Sequence, residues 1–361
     1  MFCSNPVIPA GPARRRWRKA CGAFTLVEVL VSVTILLMML LIMTEVIGTT
    51  QRTWHGASSR LTQFREARNA FDTINRGLSQ ATINSFRDYY YDSVNKPGIP
   101  PATTPLAAPT GYTQCADLGI VMGQAPKIFT GYGSSTTMPG HAVLFVAPLG
   151  NVKKADYRPL NSLLCMCGYF VHFDTDSDYL PTGLVSRLQP RSRFRLYQFL
   201  PYSEYNLATN FAAAGQRGAW ATAGVAKPFA RDFTSIVAEN ILALILAPSF
   251  AATANGGGVV ALGQSSPYTS YEFNSFDTNL PENLRYHLPT SIQVVMVAMD
   301  EESATRVAQT SGQSAPVLFN TTFTNPSSLD NDLRLAREAL QKLKVNFRIF
   351  SSTVFLPAAD K

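Results

Sequence analysis

The longest apolar run in the chain lies close to its start, at residues 24–43, which read FTLVEVLVSVTILLMMLLIM. Twenty residues of α-helix rise about 30 Å, which is the thickness of the hydrocarbon core of a bilayer. Polar and basic residues precede the run. The pattern therefore predicts a leader over residues 1–23 and a transmembrane helix over residues 24–44.

The helix is expected to continue as a soluble part over residues 45–82, because no proline interrupts residues 51–81. Apolar side chains recur there at spacings of three and four, which places them on one helical face. They are Leu61, Phe64, Ala67 or Arg68, Phe71, Ile74 and Leu78. Gly48, Gly56 and Gly77 are expected to weaken the helix locally.

Beyond residue 82 the pattern changes to short apolar runs separated by polar segments, which is typical of strands joined by loops. The predicted strands are 118–122, 142–147, 168–173, 194–199, 236–246, 292–299 and 347–355. Helical spacing returns at 300–309 and 329–343, and loops are predicted at 95–111, 208–228 and 247–267. The predicted fold class is α+β: a long N-terminal helix carries one β-rich globular head over residues 83–361.

Composition and charge narrow the class of protein. Hydrophobic residues make up 46% and charged residues 15%, which suits an exported or membrane-tethered protein better than a cytosolic enzyme. The net charge of +7 includes five basic residues that precede the apolar run, where no acid balances them. Arg191, Arg193 and Arg195 alternate in sequence and are predicted to form the solvent face of one strand. We therefore expect no nucleic-acid partner.

Cysteines and clustered carboxylates supply the candidates for cross-links and metal binding. Cys115, Cys165 and Cys167 are too few for a disulfide framework, and buried free thiols are expected, with a bond from Cys115 to one of the other two left open. Asp174, Asp176 and Asp178 alternate as calcium ligands do. Tyr179 and Val185 stand where an EF-hand needs Gly and Glu, so a solvated loop is the preferred interpretation and no metal is expected.

Catalytic motifs are missing from the head sequence. His55, His141, His172 and His287 are scattered, and neither a nucleophile elbow nor a phosphate-binding loop occurs. His172 is predicted to lie on the surface. Acidic residues at 239 and 300–301 are predicted at the ends of elements, with Asp300 as a helix N-cap. We expect no enzymatic activity, catalytic residue, cofactor or small-molecule substrate.

Three interpretations compete for the N-terminal segment. A secretory signal peptide would be followed by a small-x-small cleavage site, and none follows Met43. A plain signal anchor accounts for the apolar helix but gives no reason for Glu28, an acid that is costly beside a membrane span. The third interpretation uses the acid together with the residues just before it.

Those residues, Gly22-Ala23-Phe24-Thr25-Leu26-Val27-Glu28, resemble the N-terminal motif of type IV prepilins. The resemblance implies cleavage by a prepilin peptidase between Ala23 and Phe24, although Gly is the usual residue before the cut. It also implies N-methylation of Phe24, with Gly22, Thr25 and Leu26 completing the processing motif. Glu28 would pair with the new ammonium group, on its own or a neighbouring subunit, because a free ammonium is expensive to bury in a helical bundle.

What the resemblance implies for the whole chain is a structural pseudopilin-like subunit of a type IV pilus or type II secretion filament. Its partners would be the peptidase and N-methylase, other pilin-like subunits, and the membrane through residues 24–44. The leader would be cytoplasmic and the head periplasmic. The alternative is a membrane-anchored periplasmic enzyme or binding protein whose leader only mimics a prepilin.

The head sequence also resembles a narrower group, the Verru_Chthon cassette protein C family of prepilin-like proteins. The matching stretches are residues 141–150, 167–173, 193–199, 238–244, 294–301 and 345–354. A looser similarity is to minor pseudopilins of type II secretion, in which a long helix leads into a β-rich head. This resemblance names a family and implies a filament role.

Overall fold

The fold is that of a computed structural model of the chain. It describes residues 25–91, 108–160, 162–179, 183, 190–204, 232–250, 270–277, 279–281, 284–311, 314–317, 323 and 325–356. The architecture is α+β, as predicted, with a long apolar N-terminal helix and a β-rich head that contains three sheets.

Helix α1 runs from Leu26 to Ser79 without a break, so the glycines along it do not interrupt it. The chain forms two compact units, Met1–Ser58 and Ser59–Lys361, and α1 begins in the first and ends in the second. Its buried residues all belong to the second unit: Ala67, Ala70, Phe71, Ile74, Gly77 and Leu78. Ala67 therefore takes the buried position rather than Arg68, whereas Leu61, on the same predicted face, is 59% exposed.

Gly77 has a packing role in α1. A Cβ atom built on it would lie 2.8 Å from the hydroxyl of Tyr169, closer than a real Cβ atom comes to any neighbour. Glycine at this position therefore lowers the intrinsic stability of the helix, but it lets α1 approach the sheet that carries Tyr169.

The largest sheet has six antiparallel strands in the order β7-β6-β5-β4-β3-β9. Their bounds are β3 Ile120–Gln124, β4 His141–Pro148, β5 Leu164–Thr175, β6 Ser192–Phe199, β7 Thr234–Glu239 and β9 Phe273–Asn274. A four-residue helix, α2 (Ala125–Ile128), follows β3. The four predicted strands 118–122, 142–147, 168–173 and 194–199 overlap β3 to β6.

A second sheet has three antiparallel strands in the order β11-β10-β8. They are β8 (Ile241–Ser249), β10 (Ser291–Met299) and β11 (Phe347–Phe355). The predicted single strand 236–246 is wrong, because it is divided between β7 of the large sheet and β8 of this one. Asn240 separates them with a φ of 60°, a left-handed conformation that Asn adopts more readily than most residues.

The third sheet is the hairpin of β1 (Ser85–Tyr90) and β2 (Gly111–Ala116). The pattern of apolar residues along the chain does not predict this two-stranded sheet. Its strands are rich in tyrosine and polar residues and lack the apolar alternation that identifies a half-buried strand. Gly111 was assigned to a loop and instead begins β2.

Two further helices were predicted nearly in full. They are α3 (Glu301–Ser311) and α4 (Leu329–Lys342). Asp300 caps α3 as expected, since its Oδ1 accepts a hydrogen bond of 2.9 Å from the backbone N–H of Ser303. Short 3₁₀ turns lie at Ala155–Tyr157, Asp176–Tyr179 and Pro326–Ser328.

The main core lies between α1, one face of the large sheet and one face of the three-stranded sheet. Ile74 and Leu78 of α1 are completely buried there. The opposite face of the large sheet buries a second cluster around Phe170 and Tyr197. A third cluster packs α4 against the outer face of the three-stranded sheet. The last turns of α1 are thus an integral part of the head.

Most of the predicted loops lie outside the described residues: 95–107, 208–228 and 251–267. Where the structure describes these segments, it corrects two bounds. Gly111, at the end of the predicted loop 95–111, begins β2, and residues 247–249, at the start of the predicted loop 247–267, belong to β8.

Candidate functional site

The N-terminal segment can be followed from Thr25, since Gly22, Ala23 and Phe24 lie outside the described residues. Thr25 precedes α1, and its Oγ1 accepts a hydrogen bond of 3.3 Å from the backbone N–H of Glu28. Thr25 is therefore placed as the N-cap, and Thr25-Leu26-Val27-Glu28 has the T-x-x-E sequence of a capping box. Glu28 is exposed in the first turn of the helix, where a negative charge also suits the helix dipole.

The described residues of the first unit are Thr25 and the stretch of α1 from Leu26 to Ser58, and none of them is buried against other parts of the chain. By length and composition, α1 qualifies as a helix able to cross a membrane. Its few hydroxyl groups bond to its own backbone: Ser32 donates to the carbonyl of Val29, Thr34 to Val31 and Thr44 to Leu40, at 2.8–2.9 Å. No hydroxyl hydrogen among these three requires water, which suits a helix in hydrocarbon.

In the second unit, α1 is fastened to the start of α3 by an ionic cluster. Arg60 pairs with Asp300 at 3.1 Å and with Glu302 at 2.8 Å. Gln63 Oε1 accepts a hydrogen bond of 2.7 Å from the backbone N–H of Glu301. The Asp300 side chain is 1% exposed, so its carboxylate lies in the interior beside the guanidinium of Arg60.

The same cluster extends into the large sheet. Arg193 donates to Glu301 at 2.7 Å, and Asn240 donates to the other oxygen of Glu301, also at 2.7 Å. Burial disfavours the charged carboxylate of Glu301, but the bonds from Arg193 and Asn240 outweigh it and lower the pKa of this group. Glu301 therefore joins α1, α3, β6 and the turn between β7 and β8.

Arg195 is completely buried and forms the second half of this network. It pairs with Asp174 at 2.6 Å and with Glu239 at 3.1 Å. The prediction that Arg193 and Arg195 face solvent is thus wrong. Burial opposes ionisation of Asp174, but interactions with His172, Tyr197 and Arg195 outweigh it and lower the pKa of the carboxyl. The carboxylates of Asp174, Glu239 and Glu301 thus balance the charges of two buried guanidinium groups, those of Arg193 and Arg195.

The three aspartates considered as calcium ligands are placed differently from a solvated loop. Asp174 lies within β5 and pairs with Arg195, while Asp176 begins a 3₁₀ turn and pairs with Arg191 at 3.2 Å. The side chain of Asp178 lies outside the described residues. Within the described ranges, no three His, Cys, Asp or Glu side chains are grouped so that they could hold a metal ion.

The three cysteines of the head are buried free thiols. Cys165 Sγ lies 2.9 Å from the hydroxyl of Ser203. Cys167 faces the main core, where burial raises the pKa of its thiol to about 12. The Cys167 thiol is therefore not disposed to react as a thiolate at neutral pH.

The histidines do not converge. His55 belongs to the first unit, and His172 is partly buried 3.9 Å from Asp174, so its prediction as a surface residue is wrong. His141 is buried beside a cavity of about 330 Å³ whose lining includes Met138, Phe194, Leu242 and Phe323. The lining is mainly apolar, although it also includes the hydroxyl residues Ser135 and Thr136.

Comparison with known proteins assigns the N-terminal segment. A family model described as the prokaryotic N-terminal methylation motif matches residues 18–44, which include the Phe24–Glu28 stretch and most of the apolar run. No curated protein and no solved structure matches the chain. The match supports a prepilin-like protein with a single membrane-spanning helix.

The buried ionic network is the part that sequence reasoning missed. The sequence carries no local signal for it, because Arg193 and Arg195 alternate with Phe194 and Leu196 as in a strand that has one solvent face. The interior position of β6 and the burial of this face follow from tertiary packing. Acids placed at the ends of β7 and at the start of α3 were the available partners.

Proposed function

We propose that this protein is a structural, non-enzymatic pseudopilin-like subunit of a type IV pilus or type II secretion-type filament. The methylation motif at residues 18–44 carries the proposal. It is supported by the continuity of α1, whose apolar first half leads into a second half that helps to form the core of the head. A signal peptide that is cut after its apolar core would lose this continuity.

Processing would cut between Ala23 and Phe24 and methylate Phe24. The new ammonium group would then stand just before the Thr25 cap, at the positive end of the helix dipole, where a cation is disfavoured. Glu28 lies one turn along the helix, so its carboxylate can offset this charge within the subunit or on a neighbour. Within a bundle of helices that excludes water, such a pairing favours assembly over isolated subunits.

The finer assignment rests on the head. We place the protein in the Verru_Chthon cassette protein C family, with the leader in the cytoplasm and the head in the periplasm or on a filament. The stretches that carry this resemblance include β4, the end of β5, β6, most of β10 and β11, which together form much of the two larger sheets. A membrane-anchored periplasmic enzyme with a prepilin-like leader is the competing assignment.

The mature N-terminus decides between these functions. Mass spectrometry of the protein purified from membranes of its own host should find a chain that begins at N-methylated Phe24. Co-purifying prepilin-like proteins would identify the filament. A chain that still begins at Met1, or one that begins after Met43, would refute the pseudopilin proposal.

A further inference from the structure

The β1–β2 hairpin carries a pair of exposed tyrosines that the filament role does not use. Tyr89 and Tyr112 are directly opposite each other in the antiparallel register, so their side chains share one face. Their ring centroids lie 5.4 Å apart at an interplanar angle of 32°, and the side chains are 47% and 71% exposed. Two adjoining aromatic rings open to solvent are unusual in a surface otherwise rich in polar groups.

Polar side chains flank this pair on the same face. Arg87 and Gln114 form the next cross-strand pair, and both are exposed. His287 Nδ1 donates to the carbonyl of Arg285 at 2.8 Å, so its Nε2 accepts from the amide nitrogen of Gln114 at 3.3 Å. The amide oxygen of Gln114 and the guanidinium of Arg87 make no hydrogen bond to the described part of the chain. The amide oxygen is therefore available to accept a hydrogen bond, and the guanidinium group is available to donate several.

The hairpin is held in place at its base. Asn84 Oδ1 accepts hydrogen bonds from the backbone N–H groups of Asp117 and Leu118, at 2.9 and 2.7 Å. The face opposite the tyrosines includes Cys115, which is completely buried. The base of the hairpin is therefore packed against the head, whereas Tyr89 and Tyr112, further along the strands, are presented to solvent.

The small area and low charge of this face indicate which class of partner it can bind. Two tyrosine rings with two flanking side chains are far smaller than the roughly 800 Å² per partner of a stable protein interface. A single arginine is too little basic charge for a nucleic-acid groove. A sugar ring suits the face: its C–H groups stack on the electron-rich ring faces, and its hydroxyls bond to the polar rim.

We propose that Tyr89 and Tyr112, with Arg87 and Gln114, form a binding site for neutral polysaccharide. The pyranose rings stack on the two tyrosines. Their hydroxyls accept from Arg87 and donate to the Gln114 amide oxygen. This activity is independent of filament assembly, and it would give the head a direct contact with surface or exported glycan.

The test is a binding isotherm of the full-length chain in a zwitterionic detergent, because a sugar-headed detergent would compete for the site. Insoluble cellulose, chitin and xylan are the probes. We expect saturable binding to at least one of them, weakened about tenfold by Tyr112→Ala and by Tyr89→Ala, in line with the usual loss of an aromatic stacking contact. Tyr112→Trp should retain binding, since it keeps the stacking surface.

Tyr157→Ala is the matched control, because Tyr157 is also exposed but lies outside the hairpin. It should bind as the unmodified chain does, and circular dichroism should show the same fold for all variants. The proposal is overturned if none of the three polysaccharides binds, or if binding survives both alanine substitutions. It is also overturned if a 20-nucleotide oligothymidylate binds through Tyr112 while the polysaccharides do not.

Discussion

His141 is the first residue of β4, and its imidazole lies in the interior of the head. The Nδ1 atom accepts a hydrogen bond of 3.0 Å from the backbone N–H of Leu246 in β8, so the neutral ring carries its proton on Nε2. Burial lowers the pKa of His141 to about 4. A side chain that joins two sheets is thus required to stay neutral.

This requirement predicts an acid-sensitive head. Between pH 6.5 and about 4 the unfolded chain takes up the proton and the folded chain does not, so the free energy of unfolding falls by roughly 3 kcal/mol over that interval. Above pH 7 His141 contributes no pH dependence. Urea unfolding followed by circular dichroism at pH 7.0, 5.5 and 4.5 measures this loss. His141→Asn keeps an acceptor for Leu246 but cannot titrate, and it should flatten the curve; an unchanged slope would disprove the assignment.

At the level of single residues, the sequence predicts which strand face or helix end a side chain occupies better than it predicts what surrounds that side chain. The alternation of Arg193 and Arg195 placed both correctly on one strand face. Whether that face meets solvent or protein depends on which strands flank it and what covers it, and neither is encoded locally. The Asp300 cap was predicted because capping depends only on residues within one turn.

At the level of strands, the six-stranded and three-stranded sheets meet along a line that we call the seam, and this seam depends on Gly140. Its φ is +83°, and it forms a bridge to Leu244 of β8. A Cβ atom on Gly140 would lie 2.4 Å from the carbonyl oxygen of Leu244. The seam therefore requires the absence of a side chain for both conformational and steric reasons.

Gly140→Ala should destabilise the head by about 2–5 kcal/mol, since left-handed strain and overpacking add together. Gly131 offers a matched control: its φ is +87°, but a Cβ atom there would meet nothing within 4 Å. Gly131→Ala should then cost only about 1–2 kcal/mol. Thermal unfolding of the two variants gives the comparison, and equal losses would mean that the seam is not tightly packed.

The bounds of helices and strands are predicted correctly where the apolar periodicity is strong. They are predicted wrongly where the chain passes from one sheet to another. The strand at 347–355 and the two short helices agree with the structure to within about two residues. The run at 236–246 is continuously apolar, so periodicity gave no sign that Asn240 transfers the chain from one sheet to the other. Cross-sheet transfer is decided by tertiary packing, which the spacing of apolar residues does not record.

For the molecule as a whole, the stretch of α1 up to Ser58 carries two acids, Glu28 and Glu45, and only Glu28 belongs to the motif. Glu28→Gln should leave cleavage largely intact but reduce incorporation into filaments, because the pairing with the new ammonium group is lost. Glu45→Gln is the control: it removes an acid from the same exposed helix, outside residues 18–44. Quantifying each variant in sheared filament fractions separates the two. Equal incorporation of both variants would contradict the ion-pair role of Glu28.

Helix α1 serves both units, and its division between them governs how the protein could be shed. Residues up to Ser58 belong to the first unit, whereas Ala67 to Leu78 are buried in the core of the second. A protease that cut between Gly48 and Ser58 would release a head with its core complete. A cut beyond Ala67 would remove part of that core and leave an unfolded remnant. The residues from Gly48 to Ser58 are thus the place where this protein can be detached from a surface and still keep a folded head.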